Sequence, residues 1–145
     1  MSHYSEDSFF AFHSVDHALS KARNLLIAEM EVALSGTGVT SSQVGALLLL
    51  SRGIARSPAG LSKLLGADPG FVSRVVDRLE RQGLVRRARN SLDRRVVNLA
   101  LTEAGRDAAT RIAEIAPAVL NRRLSGFTSL EFATLFRLLG KLLDG

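Results

Sequence analysis

Apolar residues recur at alternating intervals of four and three along the first part of the chain, at Phe12, Val15, Leu19, Ala22 and Leu26. That rhythm lays one apolar stripe along a helix and predicts helix from Phe9 to about Leu34. The glycines of GTGV, residues 36–39, break it. Thr40 with Gln43 three residues later is a capping box, and it opens a short helix through VGALLLLS that is apolar enough to be buried on most sides. Ser57-Pro58 pairs an N-cap with proline at the first helical position, and the helix it starts ends near Gly66. Asp68-Pro69 repeats that signal. The helix after it runs to about Gln82, with Gly83 just past its end and Leu84 placed for the accompanying apolar contact. Leu61, Leu64 and Leu65 are predicted to face inward on the first of this pair, and Val72, Val75, Val76 and Leu79 on the second.

Beyond Leu84 the period changes. LVRRAR and RRVVNLAL flank the turn-forming NSLD, which predicts a β-hairpin. Thr102 then caps a helix to about Leu120. Thr128 and Glu131 form a second capping box, with Phe127 and Phe132 at the positions of a hydrophobic staple, and open the apolar helix LEFATLFRLLGKLLD. Two helices joined by a two- or three-residue turn and followed by a hairpin make a winged helix-turn-helix. The expected fold is mainly α with a small β-hairpin wing, one chain over 1–145. Residues 40–114 form the winged-helix lobe, and residues 9–36 and 115–145 the terminal dimerisation helices. Phe12, Val15 and Leu19 on the first helix and Leu135, Leu139 and Leu142 on the last exceed what so small a lobe can cover. They predict a homodimer; the alternative is that the two helices pack on each other within one chain.

Charge gives the lobe a partner. Between Ser57 and Arg111 stand eleven Lys and Arg against six Asp and Glu, so the whole net charge of +5 lies in that segment and the rest of the chain is neutral. Nearly all of it is arginine, whose planar fork suits phosphates and guanine edges. Double-stranded DNA is the expected partner. On the second helix of the pair, the face opposite the valines carries Gly70, Ser73, Arg74, Asp77 and Arg78, and this is the expected recognition surface for a major groove. A glycine early in that helix fits a backbone that comes close to DNA. In the wing, Arg86, Arg87 and Arg89 are expected on phosphates, and Arg94 and Arg95 at the tip are candidates to enter the minor groove. Which of the two enters depends on the hairpin register. Asp93 repels phosphates; it either orients an arginine or stabilises the turn.

Other classes find less support. The chain has no cysteine, which removes disulfides, thiolate nucleophiles and thiol redox sensing. It shows no phosphate-binding glycine loop, no nucleophile motif and only three histidines, so no enzyme and no cofactor are expected. His13 and His17 share a helix face with Asp16 between them, but only His3 remains to complete a metal site, and none is assigned. The longest apolar run, Val44 to Leu50, is too short to span a bilayer, and the acidic start MSHYSEDSFF does not resemble a signal peptide. A cytoplasmic protein without membrane contact is expected.

DRRVVNLALTEAG, from Asp93 to Gly105, resembles the signature of the MarR family of winged-helix regulators: Asp-x-Arg, an apolar strand, then Leu-Thr-x-x-Gly. VSRVVDRLERQGLVRR resembles that family's recognition helix and the entry to its wing. The resemblance covers nearly the whole chain. It implies a homodimer built from the first and last helices and a pseudo-palindromic operator. Ser73 and Arg74 then map to recognition-helix contacts, and Asp93, Arg94 and Arg95 to the wing. It further implies a repressor released by a small-molecule effector, bound between the dimer helices and the DNA-binding lobe. His13, His17 and Arg52, with Arg56, are the candidates to line that pocket. The alternative is a protein-interaction or architectural winged-helix module without effector sensing.

Overall fold

The computed structural model describes residues 1–10, 14–89 and 92–145. Among these, six helices and one two-stranded sheet follow in the order α1 (Val15–Leu34), α2 (Ser41–Ser51), α3 (Pro58–Leu65), α4 (Pro69–Arg81), β1 (Val85–Arg89), β2 (Val97–Leu101), α5 (Glu103–Arg123) and α6 (Ser129–Asp144). No helix among them is long and apolar enough to cross a membrane. α1 begins at Val15 and not at Phe9. The hydroxyl of Ser14 accepts the N–H of His17 at 3.1 Å, and the hydroxyl of Tyr4 accepts that of Val15 at 2.9 Å. These bonds satisfy donors that a helix start leaves free, whereas an apolar period says nothing about where the first turn is capped. Phe12 and His13 lie outside the described residues.

The lobe is built on α2, α3 and α4. Asp68 and Ser57 cap α4 and α3 as their spacing predicts, accepting the N–H groups of Phe71 and Gly60. α4 ends in a Schellman motif. Gly83 takes φ +73°, Leu84 N–H reaches the Leu79 carbonyl at 2.9 Å and Gly83 N–H that of Glu80 at 3.0 Å. Val72, Val75, Val76 and Leu79 are buried, together with Leu47 of α2 and Ile112 of α5. α3 departs from expectation: Leu61 is buried, but Leu64 is 51% exposed and Leu65 37%. A helix of eight residues meets its neighbours along a narrow line. Leu65 lies across Gly45 of α2, where a β-carbon would come within 2.6 Å of its Cδ2.

The wing is an antiparallel hairpin in which Val85 faces Leu101, Arg87 faces Leu99 and Arg89 faces Val97. β2 starts at Val97, later than RRVVNLAL predicts. Arg94 and Arg95 belong to the turn, because Asp93 holds the local backbone: its carbonyl accepts Val96 N–H and its carboxylate accepts Arg95 N–H, both at 3.0 Å. The predicted turn residues Asn90 and Ser91 lie outside the described residues. The connection after α2 adds a further backbone bond to this sheet, from Leu99 N–H to the Arg56 carbonyl at 2.8 Å.

α5 is seated directly on the peptide that joins α4 to β1. Thr102 N–H donates to the Leu84 carbonyl at 3.0 Å. Its hydroxyl donates to the Gly83 carbonyl at 2.6 Å and accepts Gly105 N–H at 3.0 Å. A β-carbon on Gly105 would lie 1.9 Å from the Leu84 carbonyl oxygen. α5 then runs three residues past the predicted Leu120 and packs on α1 and α2. α6 opens with the predicted capping box at Thr128 and Glu131. Among the described residues it has no buried residue and no substantial contact with another element, so α1 and α6 do not pack on each other there.

The approach at Gly105 is backbone against backbone and has no flexible side chain to yield. Gly105→Ala is expected to lower stability by about 1–3 kcal/mol or more, read as a fall in urea midpoint at unchanged slope. An unchanged midpoint would mean that the α5 seat can shift without loss.

Candidate nucleic-acid interface

α4 is two-sided. Its valine face is buried, and Gly70, Ser73, Arg74 and Arg78 are exposed opposite it, with Asp77 half-buried at the edge. The space above the first turn is occupied by the chain's own groups. A β-carbon on Gly70 would lie 3.0 Å from Asp68 Oδ1 and 3.5 Å from Arg74 Nη1, so this glycine leaves room for the capping carboxylate beside a guanidinium.

The wing arginines divide by partner. Arg87 points back to α4 and bonds Asp77 at 2.6 Å and Glu80 at 3.4 Å, strapping the wing to the recognition helix. Side chains alternate along a strand, so Arg86 projects from the opposite face of β1. Arg89 donates to the Arg94 carbonyl at 3.3 Å across the turn. The Arg95 guanidinium reaches both oxygens of Asp93, at 3.2 and 3.4 Å, and holds that carboxyl below the usual carboxylate range. Asp93 therefore does both things its position allows: it ties the turn and orients an arginine. Among the described residues Arg74, Arg78 and Arg94 form no ion pair. This leaves a cationic helix face and a cationic wing tip open to solvent, with Asp77, at the edge of that face, already paired.

Two ties behind this surface have no signature in the sequence. Gln43 is fully buried: its Nε2 donates to Gln82 Oε1 at 2.7 Å, and its Oε1 accepts Thr40 N–H at 3.0 Å. Gln82 passes the bond on to the Gly38 carbonyl at 2.7 Å. The end of the recognition helix is thus fastened to the α1–α2 connection. The Thr40–Gln43 spacing reveals the cap, but a partner 39 residues away leaves no local trace. The second tie is Glu31 of α1, which accepts Ser41 N–H at the start of α2 at 2.6 Å. Its carboxyl lies below the usual range because the Ser41 hydroxyl and N–H favour the charged form, with the charge of Arg78 adding to them.

The dimerisation candidates are all at the surface where described. Val15, Leu19, Leu135 and Leu142 are exposed and Leu139 is half-buried. His17 sits in the first turn of α1 and Arg52 caps α2 at its end. One open cleft of about 680 Å³ lies between α1 and the end of α5, lined by Val32, Glu29 and Arg123, the last two ion-paired. Another, of about 330 Å³, lies at the root of the wing and includes Arg56. Neither is lined by His17 or Arg52.

A family model described as MarR family matches residues 37–96, from the α1–α2 connection to the end of the wing turn. The chain is 30% identical over 128 residues to the multiple antibiotic resistance protein MarR of Escherichia coli (strain K12), covering 88% of this chain and 87% of that one. It is 29% identical over 114 residues to the HTH-type transcriptional repressor MdtR of Bacillus subtilis (strain 168), covering 79% and 74%. Among solved structures, Bordetella bronchiseptica BpsR superposes with a TM-score of 0.81 at 25% identity, over 90% of this chain and 98% of that one. Its study concerns regulation of BpsR DNA binding by 6-hydroxynicotinic acid.

The Glu31 tie sets an acid response. A carboxyl depressed in the folded state stabilises above its unfolded value, near 4.5, and that contribution is lost as pH falls through the lower folded value. Glu31→Gln is expected to be less stable than the parent at neutral pH, by less than about 1 kcal/mol for so solvated a group. The gap closes below that range. Thermal melts of both proteins across acidic pH check this; a gap that widens on acidification contradicts it.

Proposed function

The chain belongs to the MarR family of DNA-binding transcriptional regulators, and from that premise we propose that it is a homodimeric repressor gripping a pseudo-palindromic operator through two winged-helix lobes. The observation that carries this reading is the division of labour among its arginines. Among the described residues Arg74 and Arg78 on the outer face of α4 and Arg94 at the wing tip form no ion pair, while Arg87 and Arg95 are held by carboxylates. Ser73 and Arg74 read base edges in the major groove, Arg78 and Arg89 neutralise phosphates, and Arg94 enters the minor groove beside them. Asp77 serves the contact indirectly by fixing the wing to the helix. Membership of a family of transcriptional regulators supports a regulatory role over an enzymatic one.

One lobe offers few contacts. Two lobes joined rigidly turn the second contact into an intramolecular event, which raises affinity without new chemistry. The uncovered apolar face of α6, with Leu135, Leu138 and Leu142, supports pairing with a second copy, together with Val15 and Leu19 of α1. Closed two-fold symmetry then sets half-sites about one helical turn apart. Repression is the sense of control carried by the name of the relative MdtR, and release by a small molecule is supported by the study of BpsR.

The test is selection from a pool of genomic duplexes, followed by variants on the retained site. Arg74→Ala is expected to cost about 1–3 kcal/mol on the preferred operator and to relax its sequence preference. Arg94→Ala weakens binding while the dimer mass in solution stays unchanged. Parent-like binding of every duplex by both variants would remove these residues from the interface, and a monomeric mass for the parent would remove the dimer.

A further inference from the structure

The cleft at the root of the wing is bounded by the end of α2, the α2–α3 connection, the hairpin and the first turn of α5. Its lining is apolar at Leu50, Leu99 and Leu101 and includes three arginines, Arg56, Arg86 and Arg106. Each comes from a different element. Arg56 precedes the cap of α3, Arg86 projects from the face of β1 opposite to Arg87, and Arg106 sits in the first turn of α5 with its Nη1 3.2 Å from the Leu101 carbonyl. Among the described residues none of the three forms an ion pair, and no acidic side chain lines the cleft. Arg87, on the neighbouring position of the same strand, has two carboxylates.

Like charges gathered over an apolar floor repel one another, and a one-signed cleft concentrates the opposite ion. Arginine forks favour phosphate and carboxylate oxygens. Three cations leave more charge than a monoanion offsets. A space of about 330 Å³ is at the small end of ligand sites and holds a single ring with its charged group. We propose that the wing-root cleft binds a compact organic dianion, a phosphomonoester with a ring-sized apolar body. Such a ligand touches the hairpin, the α2–α3 connection and α5 together, so its binding fixes the angle of the wing against the rest of the lobe. Because Arg86 faces away from α4, the ligand leaves the recognition surface uncovered. The site is separate from the operator contacts, and its test needs no DNA.

The probe is phenyl phosphate, titrated calorimetrically into the full chain at about pH 8, where the phosphate is doubly charged. One site per chain is expected. Inorganic phosphate should bind at least about tenfold more weakly for lack of an apolar body, and neutral benzyl alcohol should not bind. Arg86→Gln and Arg106→Gln should each weaken phenyl phosphate by about tenfold or more with an unchanged far-ultraviolet spectrum. The exposed Arg86 guards against a loss caused by misfolding, since Arg106 also holds a backbone carbonyl. Absence of binding overturns the proposal, as do equal affinity for inorganic phosphate and binding that survives both substitutions. If both variants lose operator affinity while phenyl phosphate fails to bind, the three arginines serve the DNA backbone and the proposal falls.

Discussion

One close approach organises this molecule: the backbone of Gly105 against the carbonyl of Leu84. That carbonyl belongs to the residue that closes α4 and introduces β1, and it also accepts Thr102 N–H at the start of α5. Three elements with different tasks therefore meet within a few atoms. The recognition helix, the wing and the long helix leading away from the lobe cannot tilt independently, because each is hydrogen-bonded to the same short stretch of chain. Thr102 does two jobs there, capping α5 with its oxygen and donating to the Gly83 carbonyl with its hydroxyl. The Leu-Thr-x-x-Gly pattern thus has a mechanical meaning. Threonine supplies the clasp, and glycine supplies the only side-chain size that fits beneath it.

The polar network extends this rigidity outward. Arg87 binds the wing to α4 through Asp77 and Glu80, and Gln82, at the C-cap of the same helix, binds it to the α1–α2 connection through buried Gln43. A buried amide whose oxygen and nitrogen are both hydrogen-bonded adds little net energy but penalises any alternative arrangement that leaves it unpaired. The C-terminal half of the recognition helix is therefore held by bonds to two other elements. Its free arginines project from a fixed platform, which reduces the ordering entropy that binding would otherwise require.

The remainder of the fold is less self-sufficient. α6 offers Leu130, Phe136, Leu138, Leu142 and Leu143 to solvent, with the rings of Phe132 and Phe136 stacked 6.3 Å apart along it. Exposed apolar surface on this scale is uncommon in a stable monomer. Among the described residues, nothing in the single chain covers this face of α6.

The order of elements, their caps and the buried face of α4 were legible in the sequence alone. Each of those features is encoded within a few residues: Ser57-Pro58, Asp68-Pro69, Thr102 to Gly105, Thr128 to Glu131, and the spacing of Val72, Val75, Val76 and Leu79. Hydrogen bonds over three residues and a helical period need no knowledge of the rest of the chain. Other properties waited for the tertiary structure. They include the start of α1 at Val15, the delayed start of β2 at Val97 and the exposure of Leu64 and Leu65. The same holds for the Gln43–Gln82 bond and the gathering of Arg56, Arg86 and Arg106 around one cleft. In the latter cases the partner is distant in sequence or the available surface is set by a neighbouring element. The sequence determined which segments fold and which face α4 turns inward; packing alone decided which charged and polar groups meet, because contacts between remote residues exist only once the helices are in place.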